Sequence, residues 1–151
     1  MEFAEAASLF HRAGSYLIER AGYAEAQLLL QQALTIREHH LGPEHPDTSD
    51  TLDRLARVYE KQGKYEQAEP LYERALAIHE KQLGPEHPFR ASSLNNLAGL
   101  YDDQGKYEQA ELLYQRALAI YEKALGPEHP NTEVVRENYL SLRRVMGGEV
   151  D

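Results

Sequence analysis

The hexapeptide Leu-Gly-Pro-Glu-His-Pro occurs at residues 41–46, 83–88 and 125–130, each time 42 residues after the last. A fixed period of this length means one structural unit stacked on copies of itself, since no single unit can bury its apolar face alone. Residues 63–88 and 105–130 differ at only four of 26 positions, which are Pro70/Leu112, Glu73/Gln115, His79/Tyr121 and Gln82/Ala124. The register extends back into a degenerate first copy, where Tyr23, Ala26, Leu29, Ala33, Leu34, Ile36 and Leu41 match. It extends forward into a partial fourth copy, where Asn138 and Gly147 match Asn96 and Gly105. The chain therefore reads as one domain, residues 1–151, with repeats at 1–42, 43–84 and 85–126 and a capping helix over about 130–146.

Each repeat encodes two helices, A and B. In the first A helix Phe3, Ala7, Phe10, Ala13, Gly14 and Leu17 recur at three- and four-residue steps, the spacing of one helix face. Ala21-Gly22 breaks it, and Tyr23 restarts the period for the first B helix. Gly42 suits a left-handed helix stop, and Pro43 cannot continue a helix. Pro46 fits a first helical turn and holds His45 extended, so the second A helix begins near Pro46, buries Leu52, Leu55, Ala56 and Tyr59, and ends at Gly63. The third pair repeats this plan with Leu94, Leu97, Ala98 and Tyr101, then Tyr107, Ala110, Tyr114, Ala117 and Leu118. Pro70 should remove a hydrogen bond to the Glu66 carbonyl and bend that end of its helix outward. Gly14, Ala56 and Ala98 mark close helix crossings, where only a small side chain fits. Leu140 and Arg143 replace the small and tyrosine positions in the fourth copy, as a terminal cap allows.

The net charge of −9 argues against nucleic acid and anionic membranes as partners, because phosphate attraction is driven by Lys and Arg. The absence of cysteine removes thiol chemistry, and with no leader pattern or long apolar run the chain is expected to be cytoplasmic. No Gly-rich phosphate loop, Gly-x-Ser-x-Gly or His-Glu-x-x-His motif occurs, so no enzyme is expected. Asp102 and Asp103 point about 100° apart on a helix and read as a solvated helix end. His45, His87 and His129 are one repeated position, separated by stacking, and the sequence implies no metal and no cofactor.

The pattern Leu-x-x-Leu-Ala-x-x-Tyr followed by Ala-x-x-x-Tyr-x-x-Ala resembles the tetratricopeptide repeat, and the resemblance covers essentially the whole chain. That family's usual period is about 34 residues. A 42-residue unit with the Leu-Gly-Pro-Glu-His-Pro connector is similar to the kinesin-light-chain-type branch common in bacterial multidomain proteins, as is the run Leu94, Asn95, Asn96, Leu97, Ala98. The resemblance implies an all-α fold, a right-handed α-α superhelix of three helix pairs plus a C-terminal capping helix.

Opposite the buried stripes, the A helices present Asp50, Asp53, Arg54, Arg57 and Lys61 in the second repeat and Ser92, Asn95, Asn96, Gly99 and Asp103 in the third. His11, Arg12, Ser15 and Glu19 belong to the first, and Asn138 and Ser141 to the cap. An asparagine amide both donates to and accepts from a peptide backbone, while Arg54, Arg57 and Lys61 suit acidic side chains. The reading is a protein-interaction module, a monomer binding a peptide or partner segment in this groove. Two other readings are a regulatory sensor or spacer arm of a larger bacterial signalling or effector protein, and a structural self-associating array.

Overall fold

A computed structural model of the chain describes residues 2–147. They contain seven α-helices: α1 (Glu2–Glu19), α2 (Tyr23–His40), α3 (Pro46–Lys61), α4 (Tyr65–Leu83), α5 (Pro88–Asp103), α6 (Tyr107–Leu125) and α7 (Pro130–Val145). These are three A/B pairs and a final single helix, with no strand among the described residues. The chain divides into two compact units, one running to Ile78 and one beginning at His79, so the division falls inside α4.

The first unit is built on a close approach. A Cβ on Gly14 would lie 2.7 Å from Leu30 Cγ, so only glycine lets α1 settle this closely on α2. Ile18, Ala26, Leu30, Leu55 and Val58 then form a core, with Leu17, Tyr23, Leu34, Tyr59 and Leu71 packed around it. Leu52, Ala75 and Ile78 form a second cluster, joined to the first through Leu34 and Leu71. Each fully buried aliphatic side chain contributes about 1.5–3 kcal/mol.

Helix α3 buries more than the stripe its sequence announces, since Thr48, Ser49, Thr51 and Val58 are enclosed as well. The reason is that an A helix is covered on two sides, so its flank disappears beneath the preceding B helix. Hydroxyls survive there because they are bonded: buried Arg37 donates through Nη1 to Thr51 Oγ1 at 2.8 Å and to the Asp47 carbonyl at 3.1 Å, and Thr48 Oγ1 donates to the Gly42 carbonyl at 2.9 Å. Tyr59, placed in the stripe from sequence, is only half-buried. Pro70 is exposed and α4 runs through it unbroken. Water can take up the Glu66 carbonyl that lacks a donor, because Glu66 is exposed too.

In the second unit the same plan holds with different chemistry. His79 Nδ1 and Ser93 Oγ, 2.7 Å apart, occupy the places of Arg37 and Thr51. Helix α7 closes the unit with buried Val135 and Leu142, an ion pair from Arg143 Nη1 to Glu111 Oε2 at 3.1 Å, and a hydrogen bond from Gln115 Nε2 to the Tyr139 hydroxyl at 3.1 Å. Leu140 is half-buried.

The repeated histidines are helix caps. His45, His87 and His129 are extended, and each Nδ1 accepts from the backbone N–H two residues on, at 3.0, 3.1 and 3.1 Å, with proline at the first helical position. The connector thus ends one helix on a left-handed glycine (Gly42, Gly84, Gly126) and starts the next on a histidine ring. The α1–α2 turn departs from its copies, because Ala21 (φ 60°) stands where Gly63 and Gly105 hold the left-handed position. Gly22, which the sequence marked as the breaker, has φ −82°.

Candidate functional site

Each unit presents one A-helix face, and the two differ in charge. In the first unit the face is carried by α1 and α3. His11 Nε2 meets Asp50 Oδ2 at 3.0 Å, and His11 Nδ1 lies 3.4 Å from Thr51 Oγ1. Burial pushes the Asp50 carboxyl up, but the hydrogen bond and charge of His11, with Arg54 and Arg37 nearby, outweigh it and hold the group below its usual 3.8. Asp53 is half-buried near the Tyr72 phenol. Burial first, then the Glu60 charge, the hydrogen bond to Glu60 Oε1 at 2.8 Å and the charge of Asp53 hold that phenol well above its ordinary value, so it serves as a neutral donor. Both acidic residues of this face thereby have local company, whereas Arg57 and Lys61 are exposed and in no ion pair among the described residues. Arg54 is half-buried beside Asp50. The Ser15 hydroxyl is enclosed and without a hydrogen-bond partner among the described residues.

In the second unit the face is carried by α5 and α7 and is nearly uncharged. Asn138 Nδ2 donates to Asn95 Oδ1 at 3.2 Å. Asn96, next in sequence and half-buried, makes no side-chain hydrogen bond to any described residue. Ser92 shares a hydrogen bond with Tyr121, whose phenol burial pushes up and this bond partly returns. Gly99 has only the Tyr114 hydroxyl near it: an added Cβ would lie 3.8 Å from that oxygen, ordinary contact. Packing therefore does not require glycine there, although glycine within a helix costs about 1 kcal/mol against alanine. Asp103 is exposed at the end of α5 beside Asp102, whose carboxyl is raised by burial and by the Asp103 charge.

Of the residues selected from sequence, Asn95 and Asn138 come into contact, while Arg54, Arg57 and Lys61 follow one another along α3. The pairing of Asn95 with Asn138 had no sequence signal, because the register aligns Asn138 with Asn96. No set of three His, Asp or Glu side chains among the described residues is arranged to hold a metal ion, and no described helix is long and apolar enough to cross a membrane.

Stacked helix pairs with polar A-helix faces define a repeat-array scaffold. The sequence matches the model for the tetratricopeptide repeat over residues 5–81 and again over 54–123, and the chain belongs to that family. Kinesin light chain nearly identical TPR-like repeats from Podosopora anserina share 30% identity, covering 93% of this chain and 66% of theirs, with a TM-score of 0.83. BtubC (BKLC) from P. vanneervenii gives 22%, 93%, 56% and 0.84 for the same quantities, and the apo form of RapI gives 19%, 95%, 50% and 0.82. The last two are similar in fold alone. This chain spans between half and two thirds of the length of these three structures. No curated protein matches it. Tetratricopeptide repeats are in general non-catalytic scaffolds that mediate protein–protein interactions.

Proposed function

We propose that the A-helix faces bind extended peptide or partner segments, the α5 face of the second unit by gripping a peptide backbone and the α3 face of the first by selecting acidic side chains. The observation that carries this reading is the division of labour at Asn95 and Asn96. The first amide is engaged by Asn138, and the second is half-buried with its donors and acceptor unspent, next to the open notch at Gly99. The Asn96 amide is not enclosed, so its donors and acceptor are free to bond an extended backbone in place of solvent. Arg57 and Lys61 are exposed cations in no ion pair among the described residues, on the A-helix face of the first unit, suited to charge-assisted bonds with carboxylates.

The test is calorimetric titration with a partner peptide obtained by pull-down and mapped on a peptide array. Asn96→Ala should weaken binding by about 1–3 kcal/mol with helicity intact. Arg57→Glu should weaken acidic peptides most strongly at low salt, because screening already diminishes that attraction at high salt. Unchanged affinity in both variants would place binding away from the A-helix faces.

A further inference from the structure

The outer face of α1 is the apolar surface with the least explanation. Leu9 and Tyr16 are each 57% exposed, yet their counterparts one and two repeats on, Thr51 and Ser93 for Leu9 and Val58 and Leu100 for Tyr16, are all 0% exposed. In α3 those positions are sealed by α2, through Arg37 on Thr51 and through Ala26 and Leu30 beside Val58. Helix α1 carries larger apolar groups there and has no cover among the described residues. At 100° per residue, Glu5, Leu9, Arg12 and Tyr16 fall within an arc of roughly 60° on the side opposite buried Ala7, Gly14 and Ile18, and Arg20, in the turn just after the helix, lies over Tyr16. The tight seat of Gly14 on Leu30 fixes which way this face points.

The face is complementary to itself in one register. We propose that α1 pairs antiparallel with α1 of a second copy of this chain, about a two-fold axis passing between Arg12 and Ala13. This register sets Leu9 against the partner's Tyr16 and, by the same spacing, Glu5 against the partner's Arg20, and symmetry makes both contacts twice. Arg20 is already held over Tyr16, with its guanidinium 4.9 Å from the ring centre, so the charge lies at the edge of the apolar contact. Neighbouring registers are worse. Sliding the helices until Tyr16 meets the partner's Tyr16 brings Arg12 against the partner's Arg20, and sliding until Leu9 meets the partner's Leu9 leaves Tyr16 against Glu2. In the favoured register the two Arg12 side chains lie close together at the axis, which keeps the association weak. Two helix faces bury less than the roughly 1,200 Å² of a standard stable interface, so a dissociation constant on the order of micromolar is expected. The monomer expected from sequence is thus the dilute end of an equilibrium, and of the residues read from sequence into the A-helix faces only Arg12 meets this contact.

Sedimentation equilibrium of the full chain over about 1–300 µM tests this. The weight-average mass should rise with concentration from 17.2 kDa towards twice that value. Tyr16→Glu should raise the dissociation constant at least tenfold, and so should Glu5→Lys. The double variant Glu5→Lys with Arg20→Glu should recover most of the loss, because the pairs are then reversed. All positions are exposed, and circular dichroism verifies that each variant keeps its helicity. A mass that stays at the monomer value overturns the proposal and leaves the face to a different occupant. Association that persists in Tyr16→Glu overturns it by placing the contact elsewhere, for example at the groove of Phe10, Leu28 and Ile36. Association lost in Glu5→Lys but not recovered in the double variant overturns the register.

Discussion

Asn138 Nδ2 reaches Asn95 Oδ1 across 3.2 Å and thereby ties the last helix to α5 while leaving Asn96 as the unengaged amide. Asn95→Ala should therefore lower stability by about 0.5–1.5 kcal/mol, since it also strands the Asn138 donor, and Asn96→Ala should leave stability unchanged. Urea denaturation of the two variants side by side separates them, and equal losses would contradict the assignment.

Ala21 holds φ 60° where the later repeats have Gly63 and Gly105. A left-handed conformation costs a residue with a Cβ about 1–2 kcal/mol. Ala21→Gly should raise the thermal midpoint, by about 2–4 °C per kcal/mol for a chain of this size, while the reverse change Gly63→Ala should lower it.

The histidine caps give a graded expectation. His87→Ala removes the acceptor for the Phe89 N–H and should cost about 1 kcal/mol, whereas His87→Asn supplies an oxygen acceptor and should cost little. Equal destabilisation of both would mean the ring acts through its contact with Phe89, whose centroid lies 4.9 Å away.

The Asp50 carboxyl is held below its usual 3.8 in the folded state, so the native state binds fewer protons than the unfolded chain in this range. Its contribution is present above 3.8 and lost as pH falls through the lower folded value. Asp50→Asn should destabilise at pH 7 by a small amount, because the side chain is 55% exposed, and the gap from the unsubstituted protein should close on acidification. Denaturant midpoints between about pH 3 and 7 follow this difference.

Ala98 is fully enclosed at a helix crossing, and Leu140 is half-buried in the terminal helix. Ala98→Leu should cost about 1–3 kcal/mol by overpacking, and Leu140→Ala should cost less. A larger effect from Leu140→Ala would make that residue central to the second unit.

The helix limits were legible because their signals are local. A glycine that can turn left-handed, a proline that fits a first turn and the three- and four-residue spacing of apolar residues act within a few positions of where they stand. Repetition at 42 residues then multiplied each signal, so Pro46, Pro88 and Pro130 all begin helices. The stripes Leu52-Leu55-Ala56 and Leu94-Leu97-Ala98 were readable for the same reason.

What escaped the sequence depends on a second helix arriving. Thr51 and Ser93 look like solvent-facing residues until Arg37 and His79 descend on them, and no pattern along α3 or α5 announces a neighbour on that flank. Asn95 and Asn96 are indistinguishable as letters. Their roles separate only because α7 places Asn138 within hydrogen-bonding distance of one and not the other. The exposure of Leu9 and Tyr16 is likewise invisible in α1 by itself, since the same positions are sealed wherever a B helix covers them. Sequence alone determined the unit, its period and its helices, because those follow from interactions within a turn or two of chain. Tertiary structure decided which polar groups are spent inside the array and which remain available, because that depends on distances between helices that the chain encodes only jointly.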